Sequence, residues 1–376
     1  MNKVKSWFST EPVNIGRQPE LDLAKAFLIF NLAIVHLFCE CTPPEGLSEV
    51  GMPFYFDSVV GGPFGAPMFI FCMGVGLAYT KKNAPALVFR RGVRIFLLGV
   101  LHNTCRYLVP CLLGQWITGD SEQYFDRLPY LFFGNDILQF AGLAMMLMAL
   151  LLALKLSPAR CFIVGVAFEL LAALIGSRDY GNEAVNVILG HFVGTYSSNE
   201  DIVIFSDFPL LIWFSMYAFG YLFGFYLMRC KEKRKLYQTL GPVSAVIVTV
   251  VCVVEVALRF GMMGGSGDNV FYHLTPQDML VCILAAFMVL WLDDLLVANV
   301  FSEKFIAFAG RVSKNITIVY FIQWVVVFWT ADLLIYCIRG DQYLEDWQML
   351  ILGTALSVLS IYLAGLWRKF ITKEGS

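Results

Sequence analysis

Four polar groups interrupt the first long apolar run of the chain, LDLAKAFLIFNLAIVHLFCEC at residues 21–41: Asp22, Lys25, Asn31 and His36. Their types suit proton transfer beside an anionic ligand. The imidazole titrates nearest neutrality of all side chains, so His36 can take a proton from a hydroxyl or amine, or carry an acyl group itself. Lys25 offers a cation to phosphate. Their spacing separates the two roles, because His36 lies about 16 Å beyond Lys25 along a helix. An ionisable group inside a spanning helix costs about 2.5–3.5 kcal/mol on insertion scales, which makes it a functional candidate by default. Asp22 and Lys25 can reach the interface, and His36 cannot. The plain alternative for His36 is a hydrogen bond to a neighbouring helix.

A second polar set lies in the third apolar run, residues 95–117, which carries His102, Asn103, Arg106 and Pro110. His102 is a further acid–base candidate, with Arg106 as its neighbour one turn on. A tetrahedral intermediate of acyl transfer also needs hydrogen-bond donors, for which Asn31, Asn103 and Gln323 are candidates. Asp136, in Gly134-Asn135-Asp136, is expected to cap the fourth helix and is a candidate acceptor-binding residue. Arg90, Arg91 and Arg94 form a cationic mouth suited to several phosphates, although membrane topology alone predicts the same cluster. His191 and His273 read as loop residues. The ten cysteines show no zinc spacing, and no metal is expected.

These residues have to be positioned by membrane helices. Hydrophobic residues make up 58% of the 376-residue chain, against about 45–50% in soluble domains. Charged residues are 15%, against about 25%. The surplus is divided into runs of about twenty residues, each long enough to cross a bilayer. The fold class is therefore an all-α, polytopic integral membrane protein of about ten spans: 21–41, 64–80, 95–117, 136–155, 161–177, 207–228, 241–259, 276–298, 315–338 and 347–366. Residues 42–63 read as an acidic, Gly/Pro-rich loop and residues 81–94 as a basic one. AVNVILGHFV, within the long loop 178–206, is too short to cross and reads as re-entrant or interfacial. The glycines of GMMGGSGDNVFYHL lack the strand and helix of a phosphate cradle. The first run has no cleavage site, so a retained signal anchor is expected.

Charge orients the bundle. Of the 27 Lys and Arg residues, all but Arg106, Arg127, Arg178, Arg259 and Arg339 fall on the side of the two termini. Basic residues favour the cytoplasm, so the topology is N-in/C-in. The organisation is a cytoplasmic segment 1–20, one transmembrane domain 21–366 and a cytoplasmic tail 367–376, expected in the plasma (inner) membrane as a multi-pass protein. The net charge of −2 points to no nucleic-acid partner. The oligomeric state is open. No internal repeat of the kind common in transporters is visible.

The order of motifs resembles the transmembrane acyltransferase superfamily (acyltransferase-3-like). Lys25, ten residues and His36 resemble its Arg-x10-His pattern, and Arg91-Gly92-Val93-Arg94 its Arg-x-x-Arg motif. PFGAPMFIFCMGVGLA, RRGVRIFLLGVL, NDILQFAGLA, FPLLIWFSMYAFGYLFG and GRVSKNITIVYFIQW resemble the branch that contains heparan-α-glucosaminide N-acetyltransferase and its bacterial relatives. The resemblance touches most of the chain. It implies acyl transfer from cytoplasmic acyl-CoA, usually acetyl-CoA, to a hydroxyl or amine of an extracytoplasmic carbohydrate acceptor, with the lipid bilayer as the medium. It implies that His36 is the catalytic histidine and that Arg91 and Arg94, with Lys25 and Arg90, contact CoA. Three positions depart from the pattern. Lys25 stands where the family has arginine, residues 42–63 contain no histidine, and Gln323 stands where relatives have histidine. Two rival classes follow from the same residues: a small-molecule transporter with Lys25, His36 and His102 along its path, and a non-catalytic membrane sensor on the same fold.

Overall fold

A chain crossing hydrocarbon must satisfy its own backbone hydrogen bonds, and long apolar runs do so as helices. The computed structural model describes residues 7–43, 51–126, 128–196, 206–258 and 273–374, and it places a helix within every expected span. The helices are α1 (Pro19–Cys41), α2 (Ala66–Tyr79), α3 (Pro85–Asn103), α4 (Val109–Thr118), α5 (Ile137–Ala153), α6 (Pro158–Ile175), α7 (Glu183–Gly190), α8 (Leu210–Leu227), α9 (Lys233–Leu258), α10 (Pro276–Asn299), α11 (Glu303–Lys314), α12 (Ile316–Phe328) and α13 (Asp346–Glu374). Nine helical stretches among the described residues are long and apolar enough to cross a membrane, and the shorter α5 completes the expected set.

Four boundaries differ from the sequence expectation. Residues Met52–Phe54 and the π-helical Tyr55–Gly61 already belong to the second span, which unwinds between Gly61 and Ala66 and resumes as α2. Glycine and proline mask that helix in the sequence. α3 begins at Pro85, so Arg90, Arg91 and Arg94 stand on helix rather than in a loop. Proline at the first position fits there because its missing N–H would be unpaired anyway. α9 likewise begins at Lys233, inside the expected basic loop. The expected loop before the ninth span contains α11, an amphipathic helix capped by Ser302. The glycines of residues 261–267 lie outside the described residues.

Two tight crossings organise the bundle. α3 packs along α5, and α2 along α8. On the first, a Cβ at Gly92 would lie 2.8 Å from the Gly142 carbonyl oxygen, and one at Gly99 3.0 Å from the Gln139 amide nitrogen. On the second, a Cβ at Gly74 would lie 2.1 Å from the Tyr217 oxygen, and one at Gly220 2.2 Å from the Phe71 oxygen. Lipid tails are as apolar as leucine, so membrane helices gain from such close backbone approach rather than from hydrophobic burial alone. The α3–α5 crossing carries the end of α3, with His102, to the start of α5, with Asp136. α1 packs against α10, α11, α12 and α13. After α3 the helix widens into a π turn, Thr104–Leu108, directly before Pro110 at the second position of α4. The π turn absorbs the proline without breaking the span.

The outer loops are tied together by His273. Its Nε2 lies 3.1 Å from the Ser206 carbonyl oxygen and its Nδ1 2.7 Å from Ser177 Oγ. A carbonyl only accepts, so Nε2 carries the proton and Nδ1 accepts from the Ser177 hydroxyl. Burial holds the His273 imidazole below its usual pKa, which favours this neutral form. The clip fixes Ser206, whose neighbour Asp207 donates its N–H to the Asn135 carbonyl at 3.2 Å.

The α3–α5 crossing is testable. Gly92→Ala should destabilise the protein by about 1–3 kcal/mol, because the atoms in its way include backbone. Gly76→Ala, where an added Cβ meets nothing within 4 Å, should leave stability unchanged. Thermal unfolding of both variants in lipid nanodiscs checks this; equal midpoints would mean that the crossing tolerates a methyl group.

Candidate active site

The end of α3, the start of α5, the outer half of α1 and the face of α12 that carries Tyr320 and Trp324 bring their polar groups to one buried cluster. Its centre is Asp136. As the N-cap of α5 it accepts from its neighbour's N–H, Ile137 N to Oδ1 at 2.6 Å. Tyr320 donates its hydroxyl to the same carboxylate, at 2.9 and 3.0 Å from the two oxygens. Arg106 Nη1 donates to Oδ2 at 3.2 Å. His102 Nδ1 lies 3.9 Å from Oδ2, in ion-pair range but short of a hydrogen bond. The second terminal nitrogen of Arg106 lies 3.6 Å from Glu40 Oε1, at the outer end of α1.

Trp324 supports the cluster from below. The Arg106 Cζ sits 3.3 Å from its ring centroid. The His36 imidazole stacks on the same indole, with centroids 3.3 Å apart and planes 18° apart. Two planar groups cannot both lie so close over one indole from the same side, so Trp324 is sandwiched between them. His36 therefore sits across the indole from the guanidinium and its carboxylates.

Several polar atoms of this region are buried without a hydrogen-bond partner in the protein. They are Nδ1 of His36, Oδ1 of Asn103 and Nε of Arg106. His102 is wholly buried. Leaving such an atom unmet costs about 1–3 kcal/mol, more for a charged group. Atoms of this kind beside an ion cluster make the region a candidate site for a polar occupant.

The other residues singled out in the sequence fall into three places. Asn103 donates to the carbonyls of Phe132 and Gly134, at 2.9 and 3.2 Å, and so holds the turn that presents Asp136. Gln323 faces a different side of α12; its Nε2 donates to the Ile29 carbonyl at 2.9 Å and ties α12 to α1. Lys25, Arg90, Arg91 and Arg94 lie at the basic end. Lys25 Nζ is 3.6 Å from Asp22 Oδ1. Asp22 also accepts from Ser313 Oγ at 2.6 Å and pairs with Arg17. Arg90, Arg91 and Arg94 are exposed on the first turns of α3. Among the described residues no group of His, Cys, Asp and Glu could hold a metal ion.

Glu40, Tyr320, Trp324 and Asp207 were not evident as site residues from the sequence, and Arg106 was evident only as a neighbour of His102. The available signal was spacing: His102 and Arg106, and likewise Tyr320 and Trp324, are four apart on a helix and so share a face. Asp207 borders the cluster. Burial pushes its carboxyl up to about 8, and the charges of Asp136 and Glu40 add to that while Arg106 opposes it. An unfolded aspartate ionises near 3.9. Between roughly pH 4 and 8 the folded chain therefore holds a proton that the unfolded chain has released, and stability falls as pH rises through that window. Asp207→Asn should remove this slope, gaining stability over the wild type at pH 8 and not at pH 4. Unfolding midpoints across the window would disprove the shift if the two proteins ran parallel.

Known proteins bear on the chain in one way. A family model described as an acyltransferase domain matches residues 18–366. No curated protein and no solved structure matches the chain. The match runs from just before α1 into α13 and takes in every residue of the buried cluster, and on that extent the chain belongs to the acyltransferase-3 family of membrane acyltransferases.

Proposed function

We propose that this membrane acyltransferase takes an acyl group, acetyl in the first instance, from acyl-CoA at the cytoplasmic face. It passes the group to a hydroxyl or amine of a carbohydrate at the outer face of the plasma membrane. The observation that carries this reading is the wholly buried His102, its Nδ1 3.9 Å from a carboxylate that Tyr320 and Arg106 hold in place. A base next to an orienting carboxylate is the arrangement that proton transfer requires. The acetyl donor and glycan acceptor are supported by the motifs that resemble the heparan-α-glucosaminide N-acetyltransferase branch.

In this reading the exposed Arg90, Arg91 and Arg94, with Lys25, receive the phosphates of CoA and steer the anion to the cytoplasmic mouth. The acceptor's proton passes to a ring nitrogen of His102 as its oxygen or nitrogen attacks the thioester carbonyl carbon. The tetrahedral intermediate collapses by breaking the C–S bond, and the departing thiolate takes up that proton. Asp136 stabilises the imidazolium that forms in between. His36, across Trp324, lies on the helix that descends to Lys25 and belongs to the donor side.

The test is transfer of labelled acetyl from acetyl-CoA to a cell-envelope glycan fraction by the protein in lipid. His102→Ala should keep acetyl-CoA binding and lower kcat by about 10²–10⁴, the usual contribution of a positioned base. Loss of transfer in His36→Ala with full activity in His102→Ala would move the base to α1. Absence of acyl-CoA binding by the folded wild type would end the transferase reading.

A further inference from the structure

We propose that Arg106 is a catalytic residue, the donor that meets the negative charge developing on the carbonyl oxygen of the transferring acyl group. The proposal rests on the transferase reading above and adds a residue to it.

The guanidinium is fixed on three sides. Its terminal nitrogens face Asp136 at 3.2 Å and Glu40 at 3.6 Å, and its plane lies on Trp324 at 3.3 Å. Tyr107 adds a second ring, 4.3 Å from Cζ. Its Nε–H is buried and without a partner. A chain that only needed a structural ion pair would not bury the guanidinium Nε–H without a partner, because an unsatisfied charged donor is among the costliest groups to bury. The two carboxylates do more than neutralise the cation. They hold the two terminal nitrogens in place, and so fix the direction of the Nε–H.

Position supports the same role. Arg106 and His102 approach the same oxygen of Asp136, at 3.2 and 3.9 Å. A base and an oxyanion donor must flank one reacting carbon, and the shared carboxylate holds these two groups side by side. When the acceptor attacks, the carbonyl π electrons move onto oxygen. The proton lost by the acceptor is on His102, and the new negative charge faces Arg106. Expulsion of the thiolate re-forms the carbonyl and releases that interaction. A preorganised donor in a low-dielectric site acts at this stage, because it needs no reorientation when the charge appears.

The experiment uses the full chain in nanodiscs, with isotope-labelled acetyl-CoA as the probe. Two readouts are taken together: steady-state transfer, and the infrared carbonyl stretch of bound acetyl-CoA. Arg106→Lys keeps a cation between Glu40 and Asp136 but loses the planar fork. The double variant Arg106→Gln with Glu40→Gln removes one charge of each sign, so it has a route to a stable fold if the single variant does not. Both should bind acetyl-CoA within about threefold of wild type, with kcat lower by about 10²–10³. The wild type should shift the bound carbonyl stretch to lower frequency, and both variants should lose that shift. A purely structural arginine would not move this readout. Variants that retain kcat, or that lose affinity with kcat unchanged, overturn the role of Arg106 while the transferase reading stands. A wild type that transfers nothing overturns both, and the two failures are thereby distinguished.

Discussion

A guanidinium surrounded by hydrocarbon is the constraint from which most of this structure can be argued. Arg106 is buried in a spanning segment, where an isolated cation is strongly disfavoured. It is tolerable only because α1 supplies Glu40, the start of α5 supplies Asp136 and α12 supplies Trp324. None of these helices can shift alone without exposing a charge to a partnerless interior. Such an ion cluster contributes little to net stability, since desolvation offsets attraction. Its effect is on uniqueness: it admits one arrangement of four elements.

Small residues make that arrangement reachable. Asp136 can meet Arg106 and approach His102 only if α3 and α5 run in near-contact, and Gly92, Gly99 and Gly142 remove the side chains that would hold them apart. The π turn at Thr104–Leu108 follows at once. Pro110 then resumes the helix at a position where its missing N–H does no harm. Backbone irregularity, small residues and the buried charges are thus one device, spread over twenty residues of α3 and its continuation.

The spans were legible because each is a continuous apolar run of bilayer length, and their orientation because lysine and arginine mark one side. The buried centre was legible in part. His36, His102 and Asp136 stand out as polar residues in or beside apolar runs, and Asp136 also as a cap. Glu40 did not, because it sits at the end of the first run where an acid is unremarkable. Tyr320 and Trp324 did not, because an aromatic residue on a membrane helix is ordinary and only its neighbours give it a role. Gln323, adjacent to Trp324, looked like a site residue by type, yet a single helical step turns it toward α1. Residue type gave candidates; the helical face, which one chain cannot display, decided among them.

The two ends of the molecule hold their cations in opposite ways. Arg90, Arg91 and Arg94 are exposed on the first turns of α3; Arg106 is clamped by two carboxylates and an indole. The difference matches the two tasks proposed for them, which make different demands. Gathering an anion from solution is a matter of long-range field, and exposed cations serve it well. Stabilising charge that appears for an instant requires a donor already in place, since any rearrangement adds to the barrier. Lys25 falls between them, held near Asp22 at the rim of α1, where a compact point charge serves as well as a fork. That is a physical reason for lysine to be acceptable there, and for Arg106 to have no such latitude.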